Sequence, residues 1–331
     1  MVSKTKIEFE YKTIKALFSD SGIGDAASVS PLGKGEFNAV YSVWADGKNY
    51  AIKIAPDPII PVMIYEKGIM ASEIFWYEQI RKNTAIRTPD IHCFDMSGSS
   101  ISSSYFIMDK LQGKQMNEMD FSKEEESDAI SALARMVAEI HKIKNDKFGY
   151  IQCGLHNNWY LAIRAMVSSI IEDCAMVERA SSRGIKLLNY IDAHRTILEK
   201  AECCMVNFDL WKPNVLCTRE ADGIHYAWID PERSFWGDPI MDFICLETIK
   251  PLKNKEASLA AYNAAADIPI TVTHDELTRY AVAQGYLALI FEVEKYFRYT
   301  PYLFGWWRNI AASRIFYKSA FKTLSDADAI L

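Results

Sequence analysis

Three oxygen-bearing side chains lie at a spacing that suits phosphoryl transfer. Asp209 is followed five positions later by Asn214, and Asp230 stands sixteen positions beyond Asn214. Phosphoryl transfer needs one carboxylate beside the attacking hydroxyl, and further carboxylate and amide oxygens to hold the metal ions that bridge the phosphates. Each of the three adjoins an apolar run, which is typical of polar residues that buried strands deliver to a cleft. The pattern predicts that Asp209 orients or deprotonates the hydroxyl, and that Asn214 and Asp230 bind Mg²⁺.

A lysine on a predicted strand fits the nucleotide half of such a site. Residues 39–44 are rich in β-forming side chains, a hairpin turn follows, and residues 49–55 alternate in polarity. The alternation places Lys53 on one face with Ala51 and Ala55, whose small side chains leave room for a flat base. We therefore expect Lys53 to face a cleft rather than solvent.

Lys53 needs a carboxylate partner, and the helix predicted over residues 65–82 offers Glu66, Glu73 and Glu78. Glu73 lies within an apolar stripe of that helix, where a carboxylate is costly unless a cation neutralises it. Glu73 is therefore favoured as the partner, with Glu78 and then Glu66 as alternatives.

A glycine-containing loop precedes the first hairpin. Gly33 and Gly35 let a turn bring backbone N–H groups close to phosphate. Asn38 stands where a protein-kinase loop carries its third glycine. Alone, this motif would more often be an ordinary turn between strands, but the downstream Lys53 favours a phosphate-binding loop.

Beyond residue 113 the hydrophobic periodicity is helical, apart from the segment 205–232. Tyr105 to Met108 read as a buried strand before that point, so we place a lobe boundary near residue 112. Helices are predicted over residues 127–142, 156–180, 184–202, 275–297 and 306–324.

In this order along the chain, the motifs resemble the aminoglycoside phosphotransferase family of small-molecule kinases. The second aspartate lies in Ile-Asp-Pro-Glu at 229–232, with Gly-Asp-Pro at 237–239 and Asp242 downstream, not in an Asp-Phe-Gly. The Asp-Leu-Trp-x-x-Asn form at 209–214 is similar to the fructosamine-kinase-like and ecdysteroid-kinase-like branches, and choline kinases belong to the same superfamily. The resemblance spans about residues 32–242.

The resemblance implies an α+β, bilobal protein-kinase-like fold. Residues 1–112 would form an antiparallel-sheet lobe that binds nucleotide, and residues 113–331 a mainly helical lobe with the catalytic loop and substrate pocket. ATP and Mg²⁺ are implied, with Lys53 on the α/β-phosphates. Backbone groups of Asp109 and Leu111 would read the adenine at a hinge, although a plain strand-to-helix connection remains an alternative there.

The chain departs from the family pattern just before Asp209. Asn207 and Phe208 replace the usual His-Gly, whose histidine supports the loop without reacting. An asparagine can also hydrogen-bond the backbone. The change motivates an alternative function, a non-catalytic nucleotide-binding pseudokinase or regulatory module. Lys212 is read equally as a phosphate contact or a solvated charge.

Several further residues have a structural and a functional interpretation. His141 is favoured as structural, Asp242 as a brace of the catalytic loop, and Glu232 as either a loop brace or a metal contact through water. The aromatic residues at 299–307 are read as core before they are read as the floor of a sugar or cation site. Four acidic residues could attract a cationic substrate, although helix-surface roles are favoured: Glu172, Asp173, Asp275 and Glu276.

Composition limits the remaining classes. A net charge of −6 argues against nucleic-acid binding, which needs a basic surface. No stretch approaches the ~20 apolar residues of a membrane span, and the N-terminus lacks a hydrophobic signal region. The seven scattered cysteines are read as free thiols, and the expected location is the cytoplasm.

These features predict an ATP-dependent kinase that phosphorylates a hydroxyl of a small molecule. The candidate acceptors are an aminoglycoside or amino sugar, a ketosamine, and an amino alcohol. A protein kinase is disfavoured because no Asp-Phe-Gly or Ala-Pro-Glu segment is present to order an activation loop.

Overall fold

The chain forms an antiparallel-sheet part followed by a mainly helical part, which confirms the predicted fold class. The computed structural model describes residues 3–33, 35–248 and 250–328. Within these residues, five strands form one antiparallel sheet in the order β1-β2-β3-β5-β4. The strands are β1 Ser28–Pro31, β2 Ala39–Ala45, β3 Lys48–Ile54, β4 Ile91–Asp95 and β5 Tyr105–Asp109.

Helices cover both faces of this sheet. Helix α1 (Tyr11–Asp20) packs on the face that carries Ile52, and α2 (Ile69–Asn83) packs on the face that carries Ala51. The predicted alternation of β3 is thereby confirmed, since its neighbouring residues enter two separate cores. The face under α2 is the one from which Lys53 projects.

The β2–β3 hairpin is the one that the sequence predicts. Ala45 pairs with Lys48 across a two-residue turn of Asp46 and Gly47. Both turn residues have positive φ, 48° and 76°, as a tight turn matched to the twist of the strands requires. This hairpin fixes the register of β3 and hence the direction of Lys53.

The second part of the chain surrounds the largest hydrophobic core. Its long final helices pack against each other along much of their length. The helices are α3 Lys123–His141, α4 Trp159–Met176, α5 Ser182–Ala193, α6 Arg195–Leu198, α7 Glu256–Asn263, α8 His274–Arg298 and α9 Phe304–Asp328.

Short strands interrupt these helices and position the segment that the sequence predicts to be catalytic. Strands β6, β8 and β9 form one small sheet, and β7 pairs with β10 in another. The loop between β7 and β8 carries Asp209 and Asn214, and the loop between β9 and β10 carries Asp230. The strands are β6 Lys114–Gln115, β7 Cys204–Val206, β8 Val215–Glu220, β9 Gly223–Trp228 and β10 Phe235–Gly237.

The expectation of uninterrupted helix between residue 113 and the catalytic segment was wrong. Strand β6 follows the hinge, and residues 143–158 form turns and isolated bridges between α3 and α4. Gly149 adopts a φ of 117° in this connection, a conformation that a helix cannot contain. The helix expected over 184–202 is divided at His194, whose ψ of 24° breaks the helical geometry.

None of the described helices is long and apolar enough to cross a lipid bilayer.

Candidate active site

A cavity of about 640 Å³ lies between the sheet and the helical part. That volume falls in the range typical of small-molecule sites. The cavity collects most of the predicted site residues from distant parts of the sequence. Its lining includes Gly33, Gly35, Lys53, Glu73, Asp209, Asn214 and Asp230.

Lys53 is the centre of a buried ion cluster. Its Nζ donates to Glu73 Oε2 at 2.7 Å and to Glu232 Oε2 at 3.0 Å, and it also contacts Asp230 Oδ1. Lys53 is only 4% exposed, so the solvent-facing alternative was wrong. The predicted pairing with Glu73 is confirmed, whereas Glu78 is exposed on α2.

Three carboxylates surround one ammonium at this end of the cavity. Burial lowers the pKa of Lys53, but the carboxylates outweigh burial and raise that pKa well above its usual value, so Lys53 stays charged. Burial also raises the pKa of Glu73 well above its usual value. Burial acts the same way on Glu232, but there the charge of Lys53 outweighs it and holds the pKa below the usual value.

The donor set of this region fits a hard divalent cation. Oxygens of Glu73, Asp230 and Glu232 lie within 4.8 Å of one another. Asn214 donates its Nδ2 to the backbone oxygen of Asp209 at 2.9 Å and to Asp209 Oδ2 at 3.2 Å, so its Oδ1 stays available to a metal ion. Carboxylate and amide oxygens are the ligands that Mg²⁺ prefers.

Asp209 lies half-buried in the loop after β7. Its carboxylate accepts hydrogen bonds from the indole N–H of Trp211 and from Asn214. Burial raises the pKa of Asp209 to about 7, although the nearby charge of Arg233 opposes this. A carboxylate with that pKa can accept a proton near neutral pH, as a general base must.

The backbone of the catalytic loop is held by Asp242. Its two carboxylate oxygens accept from the backbone N–H groups of Asn207, at 3.0 Å, and Phe208, at 2.6 Å. The same carboxylate is 3.0 Å from Nε2 of His141, whose Nδ1 is 2.8 Å from the hydroxyl of Tyr262. These contacts agree with the structural interpretations of Asp242 and His141.

Asn207 fits the loop in place of the family's histidine. It is fully buried, and its Oδ1 accepts the backbone N–H of Asp209 at 2.8 Å. Phe208 has a φ of 60°, a strained conformation for a residue with a side chain. The position that departs from the family pattern therefore contacts the predicted base directly.

The glycine loop is tied to both ends of the chain. Gly33 has a φ of 72°, and Lys34 lies outside the described residues. The carboxylate of Glu36 pairs with Arg308 of α9 at 2.9 Å, and its backbone oxygen accepts from Thr5 at 2.9 Å. Asn38 Nδ2 donates to Glu232 Oε2 at 2.7 Å, which joins the loop to the ion cluster.

The predicted hinge residues do not line the cavity. Met108 does, but Asp109 and Leu111 are not among its wall residues. The backbone N–H of Asp109 donates to the oxygen of Asp90 at 2.9 Å, and its carboxylate lies 2.7 Å from Nε2 of His92. Adenine contacts by Asp109 and Leu111 therefore stay a prediction.

Other candidates from the sequence lie away from the cavity. Lys212 pairs with Glu126 on α3 at 3.2 Å, which favours the surface-charge interpretation. Asp173 is buried and accepts the backbone N–H of Ile64 at 3.0 Å. The remaining three acidic candidates, Glu172, Asp275 and Glu276, are likewise absent from the wall.

The core interpretation of the C-terminal aromatic residues was wrong for most of them. Tyr299 is buried, whereas Tyr302, Phe304 and Trp307 are 96%, 80% and 60% exposed, and Trp306 is half-buried. They surround the turn between α8 and α9, where the chain runs over the surface. None of these five side chains lines the cavity.

Sequence reasoning missed the arginines of the cavity. Arg233, Arg298 and Arg308 all line it. Arg233 follows directly after the Ile-Asp-Pro-Glu motif, so its place in the sequence could have predicted that it lies near Asp230. The other two come from the segment beyond the matched motifs, where only helical periodicity was visible.

Comparison with known families decides the assignment. The sequence profile described as the phosphotransferase enzyme family matches residues 28–278, well over half of the chain. The chain belongs to this family. The predicted enzyme class is thereby confirmed: it is a phosphotransferase with a hydroxyl of a small molecule as acceptor. No protein of curated function matches the sequence significantly.

Solved structures share the fold of this phosphotransferase at low sequence identity. A candidate fructosamine-3-kinase from Haemophilus somnus 129PT is 16% identical, with a TM-score of 0.65, over 93% of this chain and 97% of that one. A thermostable variant of aminoglycoside phosphotransferase APH(4)-Ia, in a ternary complex with AMP-PNP and hygromycin B, is 14% identical with a TM-score of 0.63, over 95% and 98%. A microcompartment-associated aminopropanol kinase is 14% identical with a TM-score of 0.62, over 96% and 98%.

Proposed function

We propose that this phosphotransferase moves the γ-phosphate of ATP to a hydroxyl of a small molecule, with Asp209 as general base. The observation that carries the proposal is one cavity that joins Asp209 and Asn214 to the buried cluster of Lys53, Glu73 and Asp230. The AMP-PNP bound by the APH(4)-Ia relative supports ATP as donor.

The proposed roles follow the chemistry of each group. Asp209 accepts the proton of the acceptor hydroxyl. The oxygen of that hydroxyl forms a bond to the γ-phosphorus while the bond between the γ-phosphorus and the bridging oxygen breaks and ADP leaves. Lys53, fixed by Glu73, binds the α/β-phosphates. Asn214 and Asp230 would hold Mg²⁺, which would offset the negative charge of the phosphates.

Residues 1–112 are proposed to form the nucleotide-binding lobe, and residues 113–331 to supply the catalytic loop and the acceptor pocket. Backbone N–H groups of Gly33 and Gly35 would contact the phosphates. Asp109 and Leu111 are proposed to contact the adenine through their backbone. The family resemblance suggests aminoglycosides and amino sugars, ketosamines and amino alcohols as acceptors.

A phosphate-transfer screen tests the proposal. ADP formation would be followed with Mg-ATP and a panel of these acceptors together with simple sugars and hydroxy acids, using Asp209→Asn as the inactive control. Phosphorylation of at least one compound by the unmodified protein and not by Asp209→Asn supports the proposal. ATP binding with no transfer to any hydroxyl compound would instead favour the non-catalytic nucleotide-binding module.

A further inference from the structure

Arg298 and Arg233, two largely buried arginines of the cavity, have no role in the proposed mechanism. Arg298, at the end of α8, is only 7% exposed, and the side chain of Arg233 is 13% exposed. Both line the same cavity as Asp209. A buried guanidinium is costly unless charged or polar groups bind it, so both arginines need anionic or polar partners.

Carboxylates behind the arginines hold them through one nitrogen each. Nη2 of Arg233 donates to Glu294 Oε1 at 2.7 Å. Nη2 of Arg298 donates to Glu66 Oε1 at 2.5 Å and lies 3.2 Å from Glu294 Oε1. Two guanidinium groups and two carboxylates make a neutral set, and the pairing fixes the orientation of both arginines.

Donors remain after this pairing. A guanidinium carries five N–H groups in a planar fork that matches carboxylate and phosphate oxygens. Nε of Arg298 is buried and has no hydrogen-bond partner within the described part of the chain. That atom is closed off from the cavity, so an anion would instead meet Nη1 of each arginine, which makes no hydrogen bond within the described part of the chain.

The arginines lie close to both reacting parts of the site. The charge of Arg233 acts on the carboxylate of Asp209. The guanidinium of Arg298 lies over the ring of Phe37 in the glycine loop, 4.8 Å from its centre. A negative group on the acceptor could therefore contact them while the acceptor hydroxyl approaches Asp209.

The cavity offers less to a cationic acceptor. Glu36 is already neutralised by Arg308 at 2.9 Å. Glu118 also lines the cavity, but it is exposed, and an exposed ion pair contributes little in water. The other carboxylates of the wall are Asp209 and those that surround Lys53, and the proposed mechanism already gives them roles, whereas it gives none to the two guanidinium groups.

We infer that the acceptor carries an anionic group, a carboxylate or a phosphate ester, and that Arg298 and Arg233 bind this group. The inference rests on the proposed transfer of phosphate to a hydroxyl, and it departs from the cationic acceptor classes that the family resemblance suggests. An acceptor of this kind differs from aminoglycosides and from simple amino alcohols, which carry cationic groups instead.

Matched acceptors test the inference on the unmodified protein. Initial rates with Mg-ATP would be compared for hydroxy acids against their amides, for sugar acids and sugar phosphates against the parent sugars, and for the corresponding amino sugars. The anionic member of a pair should have a kcat/KM at least about tenfold higher, because hydrogen bonds to charged groups are worth that much or more. Hydroxy acids and sugar phosphates distinguish a carboxylate from a phosphate requirement.

The outcomes distinguish a failure of the anionic-acceptor inference from a failure of the proposed function. Transfer to neutral or amino acceptors in preference to their anionic counterparts would overturn the inference and leave the proposed function intact. Absence of transfer to any hydroxyl compound, with ATP binding retained, would overturn the proposed function and the inference together.

Arg298→Gln tests the assigned contact. We expect the KM for the anionic acceptor to rise about tenfold or more while the KM for ATP is unchanged, and Arg298→Lys to recover part of the loss. Arg219→Gln is the matched control, because Arg219 pairs with Glu125 on the exposed surface. A fall in kcat with no change in acceptor KM would contradict the assignment. The paired-acceptor comparison stands independently if Arg298→Gln does not fold.

Discussion

The backbone N–H of Asp209 donates a hydrogen bond to Oδ1 of Asn207 at 2.8 Å. Asn207 is buried, and its own backbone N–H is held by Asp242. The side chain that replaces the family's usual histidine therefore fixes the backbone of the proposed base, and this bond explains how the departure is accommodated.

Asn207→Ala should lower both stability and turnover. The substitution leaves the partly buried N–H of Asp209 without its partner, which costs about 1–3 kcal/mol of the free energy of unfolding. We expect a lower Tm and a lower kcat, with the KM for ATP unchanged. Asn145→Ala, in a connecting loop outside the cavity, is the control, and equal kcat values for the two variants would show that Asn207 does not position Asp209.

Asp209→Asn should reduce kcat by ~10²–10⁴, the usual contribution of a general base. The amide keeps the size of the side chain but cannot accept the proton of the hydroxyl. Nucleotide binding, followed as a thermal shift with Mg-ATP, should persist. Asp192→Asn serves as control, because Asp192 pairs with Arg164 on the surface. A loss of only a few-fold would reassign Asp209 to a structural role.

Activity should decrease as the pH falls through about 7, where the pKa of Asp209 is placed by burial. The base must be unprotonated to accept a proton, so the acidic limb of kcat/KM reports its pKa in the free enzyme. A profile of initial rates between about pH 5 and 9 measures it. A limb that reached its midpoint near pH 4 would mean that the carboxylate is not perturbed, since ordinary aspartates titrate at about 3.9.

Lys53→Met should weaken ATP binding and destabilise the protein. Removing the ammonium leaves Glu73 and Glu232 buried without a cation, and breaking a buried ion pair typically costs about 3–5 kcal/mol. The loss of stability should shrink at acidic pH, because protonated carboxylates need no counter-charge. Denaturant unfolding at acidic and neutral pH measures this change.

Lys48 lies on the same strand as Lys53 but is exposed, so Lys48→Met should have little effect on ATP binding or on stability. A loss of stability that stayed constant with pH would mean that the charge of Lys53 is not what the carboxylates require.

Glu73→Gln and Glu78→Gln form a matched pair on helix α2. Glu73 contacts Lys53 at 2.7 Å, whereas Glu78 is exposed. We expect Glu73→Gln to raise the KM for ATP, because Lys53 loses the carboxylate that fixes its direction, and Glu78→Gln to leave it unchanged. Similar KM values for both variants would remove Glu73 from the nucleotide site.

The sheet and the direction of Lys53 were predictable because their causes are local. A two-residue turn at Asp46 fixes the hairpin, and strict alternation along β3 fixes which side chains share a face. Helix α1 was missed although its signal is present, since Ile14, Leu17 and Phe18 share one helical face and are buried.

The arginine wall could not be predicted, because its contacts join distant parts of the chain. Arg298 contacts Glu66 across 232 positions, and Arg308 contacts Glu36 across 272. The partner of Glu66 was equally unpredictable from the sequence. Glu66 was the last-ranked candidate partner of Lys53, and the cation that it does bind, Arg298, comes from α8, which no short-range pattern reveals.

The ion pair between Glu36 and Arg308 of α9 connects the glycine loop to the helical part of the chain. The glycine loop belongs to the sheet, yet Arg308 and Tyr299 hold it from the far end of the chain. Opening of the cleft would stretch these bonds, so we expect nucleotide exchange to depend on them. Because the Arg308–Glu36 pair is partly exposed, added salt weakens it, and we therefore expect ADP release to become faster as the salt concentration rises.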